Sequence, residues 1–337
     1  MTDSDAAAES LRLKWRKIRR KLREQLPYIK RKKYTLLIEQ HHTIQAQLNE
    51  LIKTHDELIK THYPLLATLR GSLLGQPAID KLATSAGIQF LLPMSIESNE
   101  EVCFFVSFCP TTELKPHVLD HVMALHASGI KVVLILNTSH PAEMMRVPDT
   151  LIKQLAGLIV RENLGFDFSA WAHALQLSRE WSGWQRLYLI NDSLVGPFEH
   201  SAFATMLQKI RNSQADLVGL TENSQPLWHL QSFFLVIGPR ILQSPLFANM
   251  IKGTLNLPRK EDVIDCYEMQ LAAFFTSHGF SHETIFPNFS TDPYTPDDTL
   301  FRWEQLIERG FPYIKASVLA KVRHHPHTAQ LIPARYQ

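Results

Sequence analysis

Cysteine is almost missing from this sequence. There are three in 337 residues, Cys103, Cys109 and Cys266, and no CxxC pair. That excludes a disulfide framework and a zinc-ribbon type of site, and a reducing compartment is the simpler setting. Long apolar runs are missing too. The longest, 104–108 and 132–136, are strand-sized, far short of the ~20 residues that span a bilayer. The opening MTDSDAAAES is polar and acidic, without the apolar stretch of a secretory signal. The expectation is a cytoplasmic protein, neither secreted nor membrane-spanning. Familiar signatures are absent as well: no Walker phosphate loop, no GxGxxG after a strand, no GxSxG and no HExxH. P-loop, dinucleotide-binding, serine-hydrolase and zincin chemistries are therefore set aside.

What is present is ordinary globular composition, 45% hydrophobic and 20% charged, enough to bury a sizeable core. The formal net charge of +2 hides an asymmetry. Residues 1–34 hold 12 Lys/Arg against 4 Asp/Glu, a net of +8, which leaves −6 on the remainder. Charge segregated in this way marks a separate contact surface.

The basic part has helical periodicity. Leu11, Trp15, Ile18, Leu22 and Leu26 share one face, and Lys14, Arg16, Lys17, Arg19, Arg20, Lys21 and Arg23 fill the rest. Pro27 ends or kinks this helix. A cationic face over residues 11–33 with Trp15 at its rim fits an anionic membrane surface. Packing on the acidic body is the alternative. Nucleic acid is disfavoured, because few aromatics interleave with the charges. From 35 to 66, Leu37, Ile44, Leu51, Leu58 and Leu65 recur every seven residues, with His41, Leu48, His55 and His62 as companions. That pattern suits either a coiled coil, and with it a homo-oligomer, or helix packing on the main domain.

Residues 1–70 thus form a helical segment, 71–100 read as a connector rich in Gly and Pro, and the main domain is expected over 101–337. There, apolar runs at 102–108, 132–136, 158–160, 187–190, 217–220 and 233–237 alternate with helical patterns at 115–128, 151–158, 168–179, 203–211 and 263–277. This rhythm predicts an α/β fold, a mostly parallel Rossmann-type sheet with helices on both faces. Ligands bind such sheets beyond the carboxyl ends of the strands.

Three places on that plan carry polar residues suited to chemistry. After the 158–160 run comes Arg161-Glu162-Asn163-Leu164-Gly165-Phe166-Asp167, where Gly165 permits a tight turn. Asn163 and Asp167 can bond backbone amides or a ligand, and Arg161 can meet a phosphate. A capped strand-to-helix turn explains the same residues. The 187–190 run leads into Asn191-Asp192-Ser193, where an acid at a strand end can bind a divalent cation, although Asn-Asp-Ser is also good turn chemistry. Glu268 lies on the last helix and can act as a general base or simply be solvated. His229 and Gln231 precede an apolar strand, where they can bond a sugar or cap the strand. His324-His325-Pro326-His327 can supply a metal ligand or belong to an exposed tail.

Taken in order, RENLGFDFSAWAHAL (161–175), LYLINDSLVGPF (187–198), GLTEN (219–223), HLQSFFLVI (229–237) and YEMQLAAFFTSHGF (267–280) resemble the rhamnan synthesis F family of bacterial polysaccharide glycosyltransferases. The resemblance covers most of residues 101–290. It implies a GT-A-like, inverting hexosyltransferase that uses a nucleoside-diphosphate sugar, such as one of deoxyhexose type, and a glycan or lipid-linked acceptor in polysaccharide or lipopolysaccharide biosynthesis at the inner face of the membrane. By the same resemblance, Arg161, Asn163, Gly165, Asp167, Asn191 and Ser193 line the nucleotide-sugar pocket. Asp192 meets a Mn²⁺ or Mg²⁺ ion, Glu268 is the catalytic base, and His229 and Gln231 face the sugar or acceptor. One departure matters: if the Asp-x-Asp register falls on Asn191 and Ser193, only the middle acid remains. That departure motivates the alternative of a non-catalytic, glycan-binding scaffold subunit.

Overall fold

The computed structural model describes residues 87–337 except 179, 291–295, 326, 327 and 337, together with scattered positions between 14 and 50. The chain divides into two compact units, Met1–Pro64 and Leu65–Gln337. In the first, every described position is helical and exposed, Ile18 and Ile44 among them. The heptad residues Leu37, Leu51, Leu58 and Leu65 lie outside the described residues, as do most of 11–33. Among the described residues no helix is long and apolar enough to cross a membrane.

The second unit is built on one large mixed sheet. Its strands are β1 (Ile88–Leu92), β2 (Glu101–Phe108), β3 (Lys131–Thr138), β4 (Gly157–Glu162), β5 (Arg186–Asn191), β7 (Leu217–Asn223), β9 (Phe234–Ile237) and β10 (His282–Phe286). The two-residue strands β6 (Leu194–Val195), β8 (His229–Leu230) and β11 (Ile314–Lys315) lie beside it. The order is β1-β4-β3-β2-β5-β9-β7-β10, with β8 on β7 and a separate β6–β11 ladder. Strands β4, β3, β2 and β5 are mutually parallel, and β10 is parallel to β7. Strand β9 runs antiparallel to both neighbours, and β1 runs antiparallel to β4.

The parallel group consists of the continuous apolar runs expected of strands buried on both faces. Along β2, Cys103 and Phe105 point into one core and Val102, Phe104 and Val106 into the other, the period-two alternation of a strand. The first core is covered by helices α1 (Pro116–Ala127) and α2 (His200–Asn212), through Val118, Val122 and Leu125 and through Phe203, Met206 and Ile210. On the other face lie α3 (Phe166–Leu177), α4 (Pro245–Gly253) and α5 (Met269–Ser277), through Trp171, Phe247 and Phe275. Each fully buried side chain of this kind contributes about 1.5–3 kcal/mol relative to exposure. Helices on both faces are therefore as the sequence pattern predicts.

The structure differs from the sequence expectation at several points. The sheet begins at Ile88, inside the stretch read as a connector, because β1 closes its edge against β4. The helix expected over 151–158 is one turn, Asp149–Ile152, before the chain re-enters the sheet at Gly157. The helix expected over 263–277 is interrupted: Ile264–Glu268 is a π-helical turn ahead of α5. Such single π turns recur at functional sites.

Candidate functional site

Parallel pairing brings the carboxyl ends of β2, β3, β4 and β5 to one rim. Phe108 lies opposite Asn137, Asn137 opposite Arg161, and Val106 opposite Asn191. The polar strand ends recognised in the sequence therefore converge on this rim.

Asp192, just past β5, is its centre. One carboxylate oxygen, Oδ2, accepts three hydrogen bonds: from Ser107 Oγ at 2.7 Å, from the Phe108 backbone N–H at 3.0 Å and from Lys115 Nζ at 2.6 Å. The Asp192 carbonyl accepts from His117 Nε2 at 3.1 Å. Burial lowers the pKa of His117, so the ring donates as the neutral Nε2–H tautomer. Next to it, Asn191 Nδ2 donates to Asp167 Oδ2 at 2.7 Å, and the Ser193 N–H donates to Asn191 Oδ1 at 3.0 Å. Asn191 thus joins the start of α3 to the turn after β5. Burial, and next the Asp192 carboxylate, push Asp167 up to about 7; Glu268 adds to this, while the Asn191 amide and Lys260 oppose it.

Glu268 reaches the same rim from the π turn. The Asn191 N–H donates to the Phe233 carbonyl at 3.2 Å, which places segment 231–233 beside the end of β5. The Ser232 N–H in turn donates to Glu268 Oε1 at 3.0 Å. One carboxylate oxygen is held by the backbone, and among the described residues the other accepts no hydrogen bond.

The 162–165 loop forms the remaining wall. Gly165 sits at φ +68°, and a Cβ there would lie 2.1 Å from Ser169 Oγ and 2.7 Å from Asn256 Cα, so glycine is required on both counts. Asn163 is exposed at the loop tip. Arg161 differs from the sequence expectation. It is only 2% exposed, and its guanidinium donates to Asn137 Oδ1 at 2.9 Å, to the Leu164 carbonyl at 2.8 Å and to His173 Nδ1 at 3.2 Å. Burial, and then the Arg161 charge, lower His173 to about 4, which keeps it the neutral acceptor. Arg161 therefore holds the loop floor and does not offer its donors to a phosphate.

His229 and Gln231 direct their hydrogen bonds to residues other than Asp167, Asp192 and Glu268. His229 is buried with Nδ1 2.7 Å from the Leu227 carbonyl. Gln231 accepts from Thr221 Oγ1 at 2.6 Å and donates to Asp297 Oδ2 at 2.9 Å, which also receives Lys315 Nζ at 3.0 Å. This network adjoins the rim from the β6–β11 side, where the Ala316 N–H donates to the Ser193 carbonyl at 2.8 Å.

The donor set does not suit a resident Mn²⁺ or Mg²⁺. Three hydrogen-bond donors, one of them a full positive charge, already occupy Asp192 Oδ2. Among the described residues no three His, Cys, Asp or Glu side chains gather as metal ligands, whereas these ions require several oxygen ligands. Among the described residues His324 and His325 join no such group, and His327 lies outside the described residues.

Sequence reasoning missed Ser107, Lys115 and His117. Ser107 is the penultimate residue of an apolar strand, and Lys115 sits just before Pro116; only the β2–β5 pairing brings them to Asp192. A cleft of about 230 Å³ also opens at the opposite end of the sheet, lined by Arg186, Ser213, Asp216 and Arg240 among others. There Asp216 is matched by Arg240 at 2.6 Å and by Ser281.

Two curated relatives, each called virulence protein VirA and both from Vibrio anguillarum, are 24% identical to this chain over 220 residues, covering 56% of it and 69% of the relative. The sequence model of the family described as rhamnan synthesis protein F matches residues 132–334, which include β3 to β5, the Asp192 turn and Glu268. The chain belongs to the rhamnan synthesis protein F family.

Proposed function

We propose that this chain is a GT-A-like, inverting glycosyltransferase. It moves a sugar, a deoxyhexose such as rhamnose on family grounds, from a nucleoside-diphosphate donor to a growing cell-surface polysaccharide or lipid-linked glycan. One observation carries the reading: Asp167, Asn191, Asp192 and Glu268 gather at the carboxyl ends of a parallel half-sheet, where open α/β sheets bind ligands. The family supports the polysaccharide setting. The half-sheet β4-β3-β2-β5 supports a nucleotide-binding role.

In this mechanism the acceptor hydroxyl oxygen attacks the anomeric carbon as the bond from that carbon to the diphosphate oxygen breaks. The bonding pair leaves with the diphosphate, and the hydroxyl proton passes to the free oxygen of Glu268. The Ser232 N–H fixes the orientation of that carboxylate. Asn163, Asp167, Asn191 and Ser193 line the donor pocket, over a floor set by Arg161 and Gly165. His229 and Gln231, both buried, shape its sugar side.

The test is diphosphate release from a panel of nucleoside-diphosphate sugars. One donor class should be turned over. Glu268→Gln, which keeps an oxygen for the Ser232 N–H, should cut turnover about 10³-fold with donor affinity unchanged. If no donor is bound or turned over, the scaffold reading replaces this one.

The basic residues 11–33 motivate a second proposal, peripheral attachment to anionic lipid. Flotation with anionic liposomes at low salt tests it, and protein left in the dense fraction would end it. The heptad leucines likewise motivate self-association, which a single monomeric species in sedimentation would rule out.

A further inference from the structure

The sequence leads one to expect a divalent cation beside Asp192, and the structure puts an ammonium there. We propose that Lys115 is the built-in cation of the donor site: its side chain, held on Asp192, meets the donor's diphosphate, so that donor binding proceeds without divalent metal. This rests on the transferase reading above.

Backbone, carboxylate and aromatic ring all constrain Lys115. It is the residue preceding α1 in extended backbone, with Pro116 at the first helical position, where proline suits the helix and restrains its neighbour. Its Nζ lies 2.6 Å from Asp192 Oδ2 and 5.9 Å from the centre of the Phe108 ring, so a carboxylate and a ring face together orient the ammonium. The side chain is nevertheless 31% exposed, against 15% for Asp192. Among the described residues the ammonium makes no hydrogen bond besides that to Asp192, which leaves N–H donors for phosphate oxygens. The first turn of α1 has no acidic residue and no side-chain cap, so the positive end of a twelve-residue helix adds to the same field.

A divalent ion would have to displace this ammonium from Oδ2, or bind Oδ1 against strong like-charge repulsion. Asp192 therefore acts through Lys115. It is a positioning residue that presents a cation, and the turn Asn191-Asp192-Ser193 needs only its middle acid for that task. The missing flanking acids follow from the same arrangement.

The experiment is calorimetric binding of nucleoside diphosphates to the full chain, once in excess EDTA and once in Mn²⁺. The wild type should bind one of them with affinities equal within about twofold in the two buffers, and Lys115→Met should weaken that binding about 30-fold, the loss of one charge-assisted hydrogen bond. Lys115→Arg, which keeps the charge, should stay within about fivefold of the wild type. Circular dichroism melting of each variant separates lost binding from lost fold, and the metal comparison needs no variant at all. Binding that appears only with Mn²⁺, or that survives Lys115→Met, overturns this inference and leaves the transferase reading standing. Absence of binding in both buffers overturns both.

Discussion

The two ends of the central sheet treat their carboxylates differently. At the amino end Glu101 is saturated: Oε1 accepts from Arg186 Nη1 at 3.2 Å and Tyr188 Oη at 3.1 Å, and Oε2 from Arg211 Nε at 2.8 Å. At the carboxyl end Asp192 and Glu268 add to the cost of ionising Asp167, with Lys115 on Asp192 and the exposed Lys260 nearby. Matched charge ties β2, β5 and α2 together. Surplus acid, held in place by backbone N–H groups and an amide, is what a reaction centre needs. The same residue type serves structure at one end and is available for chemistry at the other.

Four substitutions bear on that contrast. The largest effect is expected from Glu268→Gln, which should lose about 10³-fold in turnover while its melting temperature stays that of the wild type; a matching loss of stability would make Glu268 a structural residue. Glu101→Ala should do the reverse. Two arginines lose their shared partner, which costs about 3 kcal/mol of stability by chemical denaturation, with donor affinity unchanged at a temperature where the variant is folded. Gly165→Ala should cost about 2 kcal/mol, since its left-handed backbone and the approach of Asn256 both reject a Cβ, and donor affinity should fall with the loosened wall. A neutral result in denaturation would show that the loop adapts.

The smallest effect concerns pH. The Asp167 carboxyl, raised from 3.8 to about 7 by burial and then by Asp192, holds its proton in the folded state over a window in which the unfolded chain has released it. The folded state binds more protons there, so stability falls as pH rises from about 4 through about 7. Glu268 faces the same group and adds to the shift, while Lys260 and the Asn191 amide reduce it. Asp167→Asn should remove this slope, so that its melting temperature gains a few degrees more over the wild type at pH 8 than at pH 5. An unchanged slope would mean that Asp167 does not titrate in this window.

Much of the fold was legible because its parallel half is made of uninterrupted apolar runs; β2, β3 and β5 could be read from hydrophobicity alone. Strand β1 was not, since its residues are half-exposed and lie among glycines and prolines. Strand β10, HETIF, is polar at its start and exposed over its first two residues, and β6, β8 and β11 are too short to show a period. In the site, Gly165, Asp167, Asp192 and Glu268 could be named from local pattern because each stands at the end of a strand or on a helix with polar neighbours. Lys115 could not, since its partner is 77 residues away and only strand pairing brings them together. Arg161 illustrates the opposite failure: an arginine at a strand end looks available to phosphate, and only three-dimensional packing shows its donors turned inward to Asn137, Leu164 and His173.

The transferase reading requires a nucleoside-diphosphate donor to bind at the carboxyl rim. Hydrogen–deuterium exchange of the full chain, with and without a panel of nucleoside diphosphates, addresses it directly. Exchange should slow at 107–117, 161–167 and 191–193 with one member of the panel, and stay unchanged at 211–216 and 238–240. Protection centred on the amino-end cleft around Asp216 and Arg240, or no protection by any member, would contradict it.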